Sequence, residues 1–271
     1  MSLIESYRFQ IMVMRVVSIF LIAFTTLSSN QIAANSSDLA CDAYLKAHYS
    51  VSKIINKESD YSTHGDHHGQ PHVVNNEVVL WRNQKQVAIH YPGAKITEVW
   101  ERTKKGKLFL IRYFDAHQRG IEYQPNEIEG THDWSQKRQM VSDLLLDRMT
   151  LVNEQGSDGC NASKEMVYSD GVRRFQLTWF FNQKIVGEFS VEGVESRNRV
   201  EWTLESLEQN KGLVDEKFAQ LAGFQTTDYT DIGDNESDPF LLNMINLGFI
   251  GHGNSGFYDS EGNDIGGKHQ H

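Results

Sequence analysis

Cysteine is nearly absent from this chain, since its 271 residues include only Cys41 and Cys160. Neither residue has the sequence context of a catalytic nucleophile. In an oxidising compartment, an even pair of cysteines most simply forms one disulfide. A bridge between these two distant positions would stabilise the folded protein by about 4–5 kcal/mol in the chain-entropy description of disulfides, because it restricts the unfolded chain. We therefore predict a structural Cys41–Cys160 disulfide.

Long hydrophobic runs are also missing, and the one apolar stretch is Val16–Leu27. It follows Arg15 and precedes small and polar residues, which is the order of a secretory signal peptide. With about 12 residues it is shorter than the roughly 20 that a membrane-spanning helix needs. We predict a signal peptide over residues 1–34, cleaved after Ala34, no permanent membrane anchor, and a periplasmic or secreted location.

Positively charged residues are fewer than negatively charged ones. The chain has 26 lysines and arginines and 36 aspartates and glutamates, which gives a net charge of −10. No stripe of basic residues offsets this balance, so nucleic-acid binding is not expected. The sequence also lacks a repeat of fixed period and a linker rich in proline or serine. We predict one globular domain over residues 35–250 and a flexible tail rich in glycine and histidine over residues 251–271.

The residues that are present favour strands over most of the chain. Residues 39–55 place apolar groups at helical spacing and predict an N-terminal helix. Beyond it, short runs rich in β-branched and aromatic residues predict strands. These runs are Val78–Trp81, Gln86–Tyr91, Ile96–Arg102, Lys107–Asp115, Gly120–Tyr123, 174–181, 184–191 and 200–205.

Two further helices complete the predicted fold. One is expected over residues 135–152, capped by Asp133 or Ser135, with Val141, Leu144, Leu145, Met149 and Val152 on its buried side. The other begins at Asp238-Pro239 and is short and almost wholly apolar. The fold class is therefore α+β, dominated by a curved antiparallel sheet that could form a half-barrel or shell.

The run Lys107–Asp115 is apolar on both of its faces. Leu110 and Phe114 alternate with Ile111 and Tyr113, so this strand must be covered on both sides or face a cavity. A curved sheet with an apolar concave face can hold a hydrophobic ligand. The helix that starts at Pro239 would then be a lid, a partner-docking element or ordinary core.

The histidines His64, His67, His68 and His72 are the clearest chemical signal. Their spacing allows one loop to supply two or three imidazole nitrogens, which suit Zn²⁺, Cu²⁺ or Ni²⁺ as cofactor. The alternative is a solvated loop that binds such ions without function. We carry the four histidines forward as candidate metal ligands.

The order of signal peptide, N-terminal helix and one-sided strands is similar in outline to periplasmic shells of the lipoprotein-carrier type. That resemblance concerns the fold alone and identifies no ligand. The apolar side of the sheet is the feature that favours a carrier. We therefore expect a non-enzymatic exported protein that binds a hydrophobic small molecule, a lipid or another exported protein. The alternatives are a transition-metal-binding protein that uses His64–His72, and a hydrolase whose site the sequence does not locate.

Overall fold

A computed structural model of the chain describes residues 41–56, 71–128, 130, 132–156, 159–232 and 237–246. These residues form one 12-stranded sheet with the order β12-β6-β5-β4-β3-β2-β1-β11-β10-β9-β8-β7. The strands are β1 Leu45–Ile55, β2 His72–Arg82, β3 Gln86–Tyr91, β4 Ile96–Arg102, β5 Leu108–Phe114, β6 Arg119–Tyr123, β7 Thr150–Gln155, β8 Ser163–Ser169, β9 Arg173–Phe180, β10 Ile185–Gly193, β11 Arg199–Glu208 and β12 Gln225–Asp228. The helices are α1 Trp134–Gln139, α2 Asp143–Arg148, α3 Lys211–Ala222 and α4 Pro239–Asn246, with a 3-10 turn at Tyr229–Asp231.

The sheet is open, with β12 and β7 at its two edges. Neighbouring strands are antiparallel, and the exception is the pair of β12 with β6, which is parallel. The predicted β-rich architecture with few helices is thus confirmed.

The predicted N-terminal helix is wrong over Leu45–Ile55, because this segment is strand β1. Its apolar residues fit the period of a helix and also that of a strand, since Leu45, Ala47, Tyr49 and Val51 occupy alternate positions. Strand pairing decides between them: β1 lies between β2 and β11 and pairs with both along most of its length. Its position in the middle of the sheet buries all four of these side chains.

Side chains of β1 and β2 reach across the sheet on the face that carries Leu45, Ala47 and Tyr49, which we call the inward face. The Tyr49 hydroxyl donates to the carbonyl oxygen of Val186 on β10, at 2.9 Å, although β11 lies between the two strands. Arg82 on β2 donates to the carbonyl oxygens of Gln183 and Lys184, in the turn before β10. Because neighbouring strands lie about 4.8 Å apart, these bonds require the sheet to curve toward the inward face.

The main hydrophobic core lies on the inward face, and a smaller core lies on the opposite face. Leu110 and Phe114 of β5 belong to the first, whereas Tyr113 belongs to the second and Ile111 packs against it. Helix α3 covers this second face through Leu221. The expectation that β5 is covered on both sides is therefore confirmed.

The predicted helix over 135–152 is broken into α1, α2 and the beginning of β7. Asp133 caps α1 as predicted, by accepting a hydrogen bond from the Ser135 N–H at 2.9 Å. The chain leaves the helical conformation at Met140, where φ is 68°, and begins again at the cap Ser142. Of the residues expected to be buried, Val141 and Met149 are, but Leu144 and Val152 are each 62% exposed.

Helix α4 forms where the sequence predicts it. The Phe240 N–H donates to Asp238 Oδ1 at 2.9 Å, and Arg119 on β6 pairs with the same carboxylate at 2.9 Å. Leu241 and Met244 join the main core, so α4 covers part of the inward face.

Cys41 and Cys160 form the predicted disulfide, with their Cα atoms 5.4 Å apart. The predicted signal peptide and the tail over 251–271 lie outside the described residues and remain predictions. Among the helices that the structure describes, none combines the length and apolar character needed to cross a bilayer.

Candidate ligand-binding cleft

A cleft of about 510 Å³ opens at one end of the sheet. Its volume falls within the range of about 300–1,000 Å³ that is usual for small-molecule sites. Five aliphatic residues line it, namely Ile54, Val172, Val191, Val194 and Val200. The cleft is therefore suited to a ligand with a substantial apolar part.

Strand register places Val191 and Val200, which line the cleft from β10 and β11, on the inward face. Val191 on β10 lies opposite Val200 on β11 and opposite Phe175 on β9. All three belong to or pack against the main core. The cleft is thus an opening at the end of the apolar inward face and not a separate surface hollow.

Hydrogen bonds between loops fix the mouth of the cleft. The Val194 N–H, just after β10, donates to the carbonyl oxygen of Val172, just before β9, at 2.8 Å. The Asn56 N–H, at the end of β1, donates to Asn198 Oδ1 at 2.9 Å. These bonds tie three segments that are distant in sequence into one rim.

Charged side chains surround the apolar walls. Lys53, Arg173 and Arg199 line the cleft together with the exposed Glu195. Arg173 pairs with Asp170 at 2.9 Å, and the Arg173 N–H holds the pKa of that carboxyl below its usual value. The described lining of the cleft therefore holds three cations and one carboxylate, and both arginines are paired with carboxylates outside that lining.

A second groove, of about 520 Å³, runs across β8, β9, β10 and β11. Glu188 and Ser190 alternate with Phe189 and Val191 on β10, so they point to the opposite face. Glu165, Glu188 and Glu201 line this groove together with Arg199, which pairs with Glu201. The strict alternation of the sequence thus produces an apolar cleft on one face and an acidic groove on the other.

A buried charged cluster lies on the inward face of β4 and β5, and the sequence analysis missed it. Arg112 Nη2 lies 2.8 Å from Glu98 Oε1, with side-chain exposures of 2% and 0%. Trp100 Nε1 donates to the other Glu98 oxygen at 3.2 Å. Lys137 of α1 lies 4.1 Å from the centroid of the Trp100 ring, and burial lowers the pKa of this lysine.

This cluster is suited to hold the sheet and not to react with a ligand. Acid–base catalysis requires that a side chain reach the substrate, but Glu98 and Arg112 are withdrawn from solvent and bonded to each other. A signal for the cluster exists in the sequence: opposite charges occupy inward positions of consecutive strands, within Ile96-x-Glu98-x-Trp100 and Leu110-x-Arg112-x-Phe114.

On the opposite face, His90, Thr97 and Asp115 form a hydrogen-bonded group. His90 Nδ1 lies 3.0 Å from the Thr97 hydroxyl and 3.1 Å from Asp115 Oδ2. In a nucleophilic triad the hydroxyl and the carboxylate contact different ring nitrogens. Since both contact Nδ1 here, these residues are not arranged as the nucleophile and base of a hydrolase.

The candidate metal ligands are only partly covered by the structure. His72 is the exposed first residue of β2 and lies opposite Ile55, whereas His64, His67 and His68 lie outside the described residues. Within the part of the chain that is described, no group of three or more His, Cys, Asp or Glu side chains is placed to hold a metal ion. The site for Zn²⁺, Cu²⁺ or Ni²⁺ therefore stays a prediction.

No protein-family model matches the chain, and no curated protein matches it. Solved structures with some likeness include an uncharacterised conserved protein from Thermus thermophilus, at 9% identity and a TM-score of 0.37, over 69% of this chain and 91% of that one. A domain from Vibrio parahaemolyticus that is named for outer membrane lipoprotein sorting has 7% identity and a TM-score of 0.30, over 67% and 94%. A DUF1329 family protein from Desulfovibrio piger has 10% identity and a TM-score of 0.32, over 65% and 90%. At such scores the function must be argued from the site alone.

Proposed function

We propose that this chain is an exported, non-enzymatic binding or carrier protein that holds a hydrophobic ligand in the cleft of its inward face. The observation that carries the proposal is the cleft itself. Val191 and Val200 pack against the main core and also line this open cleft. An apolar surface that stays accessible in an otherwise acidic, soluble chain favours a binding role. The curved sheet would act as a shell around the apolar part of the ligand.

The export assignment rests on two features. One is the signal-like sequence over residues 1–34, and the other is the Cys41–Cys160 disulfide, since such bonds persist in oxidising compartments. The ligand would then be a lipid, another hydrophobic small molecule or an apolar segment of another exported protein. A periplasmic or secreted location gives access to all three.

Introducing a carboxylate into the cleft is expected to abolish most ligand binding. In Val200→Asp a carboxylate replaces part of the apolar wall, opposite Lys53 in the strand register. An apolar ligand gains less from covering charged groups than from covering a valine, because the charges lose their hydration. We expect the affinity for the neutral fluorophore N-phenyl-1-naphthylamine to fall at least about tenfold. Fluorescence titration of the full exported protein measures this change.

Ser206→Asp is the matched control, because it adds the same charge at an exposed position of the same strand. It should bind the fluorophore like the wild type. Thermal unfolding of both variants checks that Val200→Asp is still folded at the titration temperature. Equal affinity of wild type and a folded Val200→Asp protein would place the fluorophore elsewhere and refute the assignment of the cleft.

A further inference from the structure

Lys53 is the charged exception on the inward face of β1. The preceding inward positions of this strand hold Leu45, Ala47, Tyr49 and Val51, which are all buried. In register, Lys53 lies opposite Val200 on β11 and opposite Val74 on β2. Lys53 lines the cleft, so a cationic residue lies beside valines at the ligand site.

Lys53 also differs from the two arginines of the cleft. Arg173 is paired with Asp170 at 2.9 Å, and Arg199 is paired with Glu201 at 2.6 Å. Lys53 forms no ion pair with any residue of the described ranges, although it is half-buried. A half-buried charge beside valines is disfavoured unless an opposite charge meets it.

The two faces of the sheet differ in the charge that they would accept. Glu165, Glu188 and Glu201 line the groove on the opposite face and would repel an anion. The inward cleft presents Lys53 and Arg173, whereas Arg199 lines both the cleft and the groove. Among the described residues, the carboxylate that lines the cleft is Glu195, which is exposed on the turn after β10. An anion is therefore favoured in the cleft and disfavoured on the other face.

We propose that the ligand of the cleft is a single-chain amphiphile with an anionic head group, whose charge pairs with Lys53 Nζ. Its hydrocarbon chain would lie against Val191 and Val200, which pack against the main core. This inference rests on the proposed function, because it names the class of ligand for the same cleft. It also assigns Lys53 as the residue that selects the head group.

Competition for bound N-phenyl-1-naphthylamine in the full exported protein tests this inference. Three competitors share one chain length and differ in the head group: hexadecanoate, hexadecyl phosphate and hexadecan-1-ol. In the wild type we expect at least one anion to compete about tenfold more strongly than the alcohol, as a charge-assisted contact would provide. The stronger of the two anions then identifies a carboxylate or a phosphate head.

In Lys53→Met this preference for the anion should vanish, while the alcohol competes as before. Lys53→Arg should keep the preference, because it keeps the charge. Lys46→Met is the matched control: it removes a lysine from the same strand, outside the cleft lining, and should leave the preference unchanged.

The outcomes separate the two proposals. If anion and alcohol compete equally in the wild type, or if Lys53→Met keeps the preference, the role of Lys53 is wrong while the cleft can still bind apolar ligands. If the fluorophore does not bind, or no compound displaces it, the proposed function fails as well.

Discussion

Replacing both Cys41 and Cys160 by serine is expected to lower the free energy of unfolding by about 4–5 kcal/mol in the chain-entropy description. The bridge closes a separation of 119 residues, so its loss frees a long stretch of the unfolded chain. It also joins the segment before the central strand β1 to the segment before β8, near one edge of the sheet. Urea denaturation, analysed with a common slope for both proteins, measures the loss.

Wild-type protein unfolded in the presence of a reductant provides the control. It should resemble the double serine variant, since both lack the bridge. A loss below about 1 kcal/mol would mean that the unfolded chain is already restricted without the bridge, contrary to the chain-entropy description.

Breaking the buried Glu98–Arg112 pair is the second change with a large expected effect. Arg112→Met leaves the Glu98 carboxylate buried without its cation, and such changes cost about 3–5 kcal/mol of unfolding free energy. The double variant Glu98→Met/Arg112→Met removes both charges and should lose less than Arg112→Met alone. Denaturant unfolding of the single and double variants measures this coupling.

An exposed ion pair serves as comparison for this experiment. Lys211 and Asp215 lie one turn apart on α3 in contact with solvent, so Lys211→Met should leave the unfolding midpoint nearly unchanged. If the double variant were as unstable as the sum of its two single variants, the pair would not act as one buried unit.

Strands β3 and β4 could be predicted because their signals are local. They have the predicted bounds, Gln86–Tyr91 and Ile96–Arg102, since a Pro92-Gly93 turn separates two runs rich in β-branched and aromatic residues. Helix α4 is likewise marked at its beginning by Asp238-Pro239. In these places the sequence pattern and the tertiary contacts favour the same structure.

Strand β1 could not be assigned by periodicity because its apolar residues fit a helix and a strand. Only its pairing with β2 and with β11 decides, and β11 is more than 140 residues away in sequence. The break at Met140 was missed for a related reason, since the flanking residues still favour a helix.

Helix α3 did leave a signal that the sequence analysis overlooked. Asn210 caps it by accepting from the Leu213 N–H at 3.1 Å, and Gly223 ends it. Val214 and Leu221, seven positions apart, are its buried residues and lie on one helical face. The cap, the spacing and the final glycine are all visible in the sequence.

The cleft depends on strand order and so was beyond a sequence argument. Its walls come from Ile54, Val172, Val191 and Val200, which the fold brings together from four segments. An apolar ligand surface on the sheet could be expected from the alternation, but its place at this end could not. The role of Lys53 could not be predicted either, because it lies in the segment that was predicted as a helix. Its position opposite Val200 exists only when this segment is a strand.

Native mass spectrometry of the protein, isolated from its own cells without added ligand, tests the central claim most directly. We expect a stoichiometric organic adduct with the mass of an acidic amphiphile, and we expect Val200→Asp to lose it while Ser206→Asp keeps it. A wild-type chain that carries no adduct, or an adduct retained by a folded Val200→Asp protein, would contradict a hydrophobic ligand in the inward cleft.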